Sequence, residues 1–164
     1  MKMKKIKNIV VSIDFSATSR TAYRYAAALA NTLKASLTIV HAKENPIMVS
    51  DVMIIPSSIE DDQALTKDIE SLMAEEEIAI HNTTVKQKVS IKIFSGDAVT
   101  VLTQLSENDE TDLIVMGTTG LSDILTKIFG STSVRVSNKA HCPVILVPRD
   151  ATWQPIKHIL FASN

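Results

Sequence analysis

Five short runs rich in Ile and Val mark the chain at residues 9–13, 36–40, 89–94, 113–116 and 144–147. They are continuously apolar rather than alternating, which predicts strands buried on both faces. Helical periodicity lies between them. Ala22, Ala26, Leu29, Ala30 and Leu33 share one face of a helix that Ser16 or Ser19 can cap, and Leu65, Ile69, Leu72 and Met73 repeat the spacing. A third helix starts after Gly96 with Asp97 as N-cap and places Ala98, Val101, Leu102 and Leu105 at i, i+3, i+4 and i+7. A fourth, over 131–140, is bracketed by Gly130 and Pro143. Strands alternating with helices imply right-handed crossovers and a doubly wound α/β fold, a parallel sheet with helices on both faces. Such sheets bind ligands beyond the carboxyl ends of their strands. That places the useful positions at Asp14, His41–Ala42, 95–97, 117–120 and Pro148. The stretch 43–59 has two prolines and no clean periodicity, so it reads as a long excursion beside the sheet edge.

Composition narrows the functional classes. At 164 residues and 45% hydrophobic, the chain suits one domain with a sizeable core and excludes disorder or a disulfide miniprotein. Seventeen basic against eighteen acidic side chains offer no bulk attraction for nucleic acid or an acidic membrane surface. No apolar stretch approaches the roughly 18 residues of a membrane span. The single Cys142 cannot form an internal disulfide, and the histidines at 41, 81, 141 and 158 lack metal-ligand spacing. The opening Met-Lys-Met-Lys-Lys is followed by an apolar run that Ser12 and Asp14 break too early for a signal peptide. A reducing, cytoplasmic setting is expected.

The last nine residues, Ile156-Lys157-His158-Ile159-Leu160-Phe161-Ala162-Ser163-Asn164, parallel Ile6-Lys7-Asn8-Ile9-Val10-Val11-Ser12-Ile13-Asp14 at a constant offset of 150. A generic strand shares the apolar pattern. The position, just after a linker-like segment 149–155, favours an internal repeat. Residues 1–148 are then one complete module, and 149–164 a linker and the first strand of a second, truncated copy. Trp153, beyond that module, is expected to pack on the missing half.

Only four glycines occur, at 96, 117, 120 and 130, and three fall within fourteen residues. Gly117 and Gly120 follow a strand and let backbone approach a ligand; Gly130 opens a helix whose free N–H groups and dipole favour an anion. Thr118 and Thr119 on one side, and Ser131, Thr132 and Ser133 on the other, add hydroxyls. A strand-end turn followed by a serine-capped helix accounts for the same glycines one at a time. Neither GxxxxGK[ST] nor GxGxxG is present.

The pattern Gly117-x2-Gly120-x9-Gly130-Ser131, with Asp112-Leu113-Ile114-Val115-Met116 before it and Cys142-Pro143-Val144-Ile145-Leu146-Val147-Pro148 after it, resembles the ATP-binding branch of the universal stress protein family. Val11-Ser12-Ile13-Asp14-Phe15-Ser16 looks like that family's first strand and turn. The resemblance implies a five-stranded parallel sheet of order 3-2-1-4-5, ATP with Mg2+, and a homodimer paired through the edge strand Val144 to Val147. It also implies that Gly117, Gly120, Gly130, Ser131, Thr132 and Ser133 hold the triphosphate, with Thr119 beside them. Asp14 would face the ribose and the magnesium-bearing phosphates, Ser12 and Ile13 would line the nucleoside, and backbone near Ala42 and Met116 would meet adenine. Tandem members of the family agree with the partial copy.

Other residues carry plainer expectations. His41 reads as a solvated strand-end side chain, Cys142 as a buried inert thiol, and Glu75-Glu76-Glu77 as a solvated helix end. Leu121, Ile124, Leu125, Ile128 and Phe129 form an apolar-faced helical turn with Lys127 outside. No Ser/His/Asp constellation and no Arg finger is evident, so a regulatory stress-response module with at most slow ATP hydrolysis is the leading reading. The alternatives are an enzyme of the nucleotidylyl transferase or ATP pyrophosphatase class, whose His-x-Gly-His and Ser-Gly-Gly-x-Asp-Ser loops are absent, and a nucleotide-independent dimerisation module. A phosphoacceptor receiver would need an acidic pair where Asp14 stands alone.

Overall fold

The computed structural model describes residues 5–43, 59–79, 86–108, 110–118, 130–158 and 160. Within them run β1 (Asn8–Ser12), α1 (Ala17–Leu33), β2 (Ser36–Lys43), α2 (Ile59–Ala79), β3 (Val89–Ser95), α3 (Ala98–Glu107), β4 (Leu113–Gly117), α4 (Ser131–Lys139) and β5 (Val144–Val147). The sheet is wholly parallel, in the order β3-β2-β1-β4-β5. Every expected strand is present. β2 runs on to Lys43 because its ladder with β3 continues to the pair Lys43–Ser95, past the polar residues that end the apolar run.

Alternate residues of each strand feed two cores, as a period of two requires. Ile9, Val11, Leu37, Ile39, Leu113 and Val115 pack against α1 and α2, around Ala22, Ala26, Leu29, Ile69 and Leu72. Val10, Val40, Ile114 and Met116 pack on the other side against α3 and α4, with Val99, Leu102 and Val136. Each fully buried Val, Ile or Leu contributes about 1.5–3 kcal/mol, so this pattern fixes which face every helix takes. At the amino end of the sheet the buried Asp112 carboxylate accepts from the N–H groups of Lys7 and Asn8 at 2.9 and 3.0 Å, tying β1 to the start of β4.

Three local expectations change. Glu76 is not solvated: it is buried, with Arg20 3.3 Å and Arg24 3.1 Å from its carboxylate oxygens, and clasps α2 to α1. Its neighbour Glu75 takes a second bond from Arg20 at 2.7 Å on the exposed side. Trp153 packs on the module's own α1, edge-to-face with Tyr25 at 4.8 Å between centroids. Thr21 on α1 donates to the carbonyl of Arg149 at 2.8 Å, so residues 149–153 form a strap on the domain. Cys142 is half-buried rather than buried. Residues 154–158 and 160 carry no regular element, and the rest of the repeat, 159 and 161–164, lies outside the described residues. So do most of the 43–59 excursion and the 121–129 turn with Lys127.

Candidate functional site

The carboxyl ends of β1, β2 and β4 open onto the starts of α1 and α4. After β1, Ile13 is buried and its N–H donates to Val40, which seals that position into the sheet. Asp14 follows, half-buried, and its Oδ1 accepts from the N–H of Ser16 at 3.0 Å. Phe15 then takes a left-handed backbone, φ 63°, which turns the chain sharply from strand to helix. Ser16 caps α1 by accepting from the N–H of Ser19 at 3.1 Å. The choice between Ser16 and Ser19 thus falls to Ser16, while Ser19 reaches back, its hydroxyl accepting from the N–H of Asp14.

His41, near the carboxyl end of β2, has a defined role rather than a solvated one. Its Nδ1 lies 2.7 Å from the carbonyl of Ile13, and its ring packs at a tilt on Phe15 with centroids 5.2 Å apart. An N–H at Nδ1 donates to that carbonyl, which fixes the ring and braces the turn carrying Asp14. Nothing in the sequence near His41 signals this contact, because Ile13 and Phe15 come from another strand end. Ala42, next along β2, is half-buried. Lys43 bonds to Asp62 in the first turn of α2.

Gly117 ends β4 and Thr118 follows it. A Cβ on Gly117 would stand 2.7 Å from Cγ2 of Thr18 and 3.1 Å from its carbonyl carbon, so glycine here admits the first turn of α1. The Thr118 N–H donates to Val147 at 3.1 Å, and its carbonyl accepts from the N–H of Gly130 at 2.5 Å and from the Ser133 hydroxyl at 2.8 Å. Those bonds hold the start of α4 against the end of β4. Ser133 is buried and its hydroxyl hydrogen is shared with the Gly130 carbonyl, also at 2.8 Å. Ser131 and Thr132 are exposed.

The helix termini differ. Ser16 and Asp97 cap α1 and α3 with side-chain acceptors, whereas Gly130 caps α4 with none. The first-turn N–H groups of α4 therefore have no capping oxygen from that residue, the condition under which an anion is favoured. Met116 is buried within β4 and Ser12 ends β1 half-buried. Of the expected site residues, Ser12, Ile13, Asp14, Ala42, Met116, Gly117, Gly130, Ser131, Thr132 and Ser133 are described, and all lie at strand ends or at the α4 start. Thr119 and Gly120 lie outside the described residues. Among the described residues no group of three or more His, Cys, Asp or Glu is arranged around a metal position, and no helix is long and apolar enough to cross a membrane.

Comparison with known proteins agrees with the fold. Residues 5–148 match the universal stress protein family. A universal stress protein of Thermus aquaticus is 31% identical over 141 residues, covering 86% of this chain and 98% of the relative. One of Methanocaldococcus jannaschii is 27% identical over 149 residues, covering 87% and 82%. Among solved structures, a universal stress protein in complex with cAMP superposes with a TM-score of 0.61 at 22% identity, covering 90% of this chain and 100% of that one. The Archaeoglobus fulgidus universal stress protein in complex with dAMP does so at 0.60 and 17%, covering 88% and 99%. With its sheet order, its strand-end glycines and a match over nearly the whole chain, this protein belongs to the universal stress protein family.

Proposed function

We propose that this chain is an ATP-binding regulatory module of the stress response, acting in the cytoplasm with at most slow ATP hydrolysis. The observation that carries the proposal is the start of α4. Its N-cap, Gly130, offers no capping side chain, it is bolted to the end of β4 through the Thr118 carbonyl, and it presents Ser131 and Thr132 outward. Backbone N–H groups, hydroxyls and a helix dipole together suit a polyphosphate. Relatives of the same fold are solved with cAMP and dAMP, both adenine nucleotides.

The donor set fits the nucleotide. Gly117, Thr119, Gly120, Gly130, Ser131, Thr132 and Ser133 would surround the phosphates. Oδ1 of Asp14 serves the Ser16 N–H, and the other oxygen suits a ribose hydroxyl or a hard cation. Magnesium would supply charge neutralisation across the phosphates, and a single carboxylate suffices for an ion that keeps its remaining oxygens from water and phosphate. Ser12 and Ile13 would line the nucleoside, and backbone at Ala42 and Met116 would meet the adenine edge. Adding Mg·ATP should raise the melting temperature by mass action. An unchanged melting temperature at millimolar Mg·ATP contradicts the proposal.

Assembly is part of the same reading. Val144, Ile145 and Leu146 are only half-buried on β5, whose apolar outer edge pairs with no strand among the described residues. Homodimerisation through β5 covers it; a monomer by light scattering at high concentration contradicts this. Residues 149–164 are proposed as a linker and the first strand of a second copy. Ile156 and Leu160 are 53% and 96% exposed, apolar residues awaiting a sheet. A stop codon directly after Asn164 in the native gene contradicts that assignment.

A further inference from the structure

β2 outruns β1 at the carboxyl end of the sheet. The two strands pair as far as Ser12 and Val40, and the Ile13 N–H still reaches the Val40 carbonyl at 2.9 Å. The carbonyl of Ile13 then meets a side chain in place of a strand, with Nδ1 of His41 2.7 Å away. Ile13 is buried, so that carbonyl needs a partner. The same planar peptide unit carries the N–H of Asp14, which donates to the Ser19 hydroxyl at 3.4 Å. One peptide is thus held at its oxygen by His41 and at its nitrogen by Ser19.

The hold continues on the far side of Asp14. Phe15 takes φ 63°, a left-handed backbone that a bulky residue keeps only where its surroundings impose it. Its ring packs on His41 with centroids 5.2 Å apart. His41 therefore touches the chain immediately before and immediately after Asp14. Oδ1 of Asp14 is committed to the Ser16 N–H at 3.0 Å, while Oδ2 has no partner among the described residues. With its backbone and one oxygen fixed, the carboxylate has less freedom to lose when a ligand binds. We propose that His41 is the positioning residue of the nucleotide site, clamping the Ile13–Asp14 peptide so that Asp14 presents its second oxygen to the ligand. The inference rests on the nucleotide reading of the strand ends.

Two amide side chains separate the two ring nitrogens. The asparagine nitrogen, like Nδ1, is bonded to Cγ, whereas the glutamine nitrogen stands nearer the place of Nε2. Calorimetric titration with Mg·ATP reads the affinity. His41→Phe keeps a ring against Phe15 and removes the N–H, and should weaken binding about fivefold, the net worth of one hydrogen bond. His41→Asn should recover most of that loss and His41→Gln none of it. In an Asp14→Asn chain, His41→Phe should change the affinity by less than about twofold, because its effect runs through Asp14. Without nucleotide, long-range 1H–15N spectra should show the His41 proton on Nδ1. The proposal is overturned if His41→Phe binds within about twofold of the unaltered chain, if its full loss persists in the Asp14→Asn chain, or if the proton sits on Nε2. It is also overturned if His41→Gln binds more tightly than His41→Asn, which would make the ring a direct ligand contact. Each of these outcomes removes the role of His41 alone, whereas an unaltered chain that takes up no Mg·ATP removes the nucleotide reading and this inference with it.

Discussion

Gly117 and Thr18 meet so closely that a Cβ on the glycine would lie 2.7 Å from the threonine Cγ2 and 3.1 Å from its carbonyl carbon. The backbone contact matters more than the methyl, since Thr18 sits in the first turn of α1 and cannot move alone. Gly117→Ala should therefore displace the helix start and destabilise the domain by about 1–3 kcal/mol, the usual range for overpacking. Urea unfolding measures it, and a loss below about 0.5 kcal/mol would show that α1 yields freely.

Tyr23 gives the opposite expectation. It is fully buried on α1 and its hydroxyl has no hydrogen-bond partner among the described residues. Burial, reinforced by the Glu77 and Glu76 charges, holds its phenol far above the ordinary value of 10.0. Leaving a hydroxyl unpaired in the core costs about 1–3 kcal/mol, so Tyr23→Phe should leave stability unchanged or raise it. A clear fall in melting temperature would reveal a bonding partner for the hydroxyl.

Asp97 links stability to acid. Its Oδ2 accepts from the Thr100 N–H and hydroxyl, each at 3.0 Å, and the backbone bond holds its carboxyl below the ordinary 3.8. A depressed folded value means the cap stabilises above the unfolded value and loses this as pH falls below about 3.8 and through the folded value. Asp97→Ala should cost about 0.5–1 kcal/mol at neutral pH, the low end for an exposed N-cap. The difference should shrink as the pH falls below that range, and a constant difference down to pH ~2 would contradict the linkage.

Truncation measures how far the folded unit extends along the strap. A chain ending at Pro148 loses the Thr21–Arg149 bond and the Tyr25–Trp153 packing, while one ending at Gln154 keeps both. The shorter chain should be less stable by about 1–3 kcal/mol, combining one hydrogen bond with an aromatic pair. Equal melting temperatures would place the boundary at Pro148.

The strands were legible because each is an unbroken apolar run, and α1 and α3 because their caps and periodicity coincide. Long-range pairing was not. Glu76 reads as one of three solvated glutamates, since nothing local reveals that Arg20 and Arg24 reach it from 52–56 residues away. Trp153 reads as an orphan for the same reason. The glycine cluster is visible, and its spacing suggests ligand approach or a strand-end turn at Gly117, to which the structure adds a packing requirement. Gly96, outside the motif, is the one described glycine whose backbone, at φ 137°, side chains rarely adopt.

Calorimetric titration with Mg·ATP decides whether α4 begins a phosphate site. Saturable binding of one nucleotide per chain is expected, lost in Gly130→Leu while the far-UV spectrum stays native. No measurable heat up to millimolar Mg·ATP, or undiminished binding by a folded Gly130→Leu chain, would contradict it.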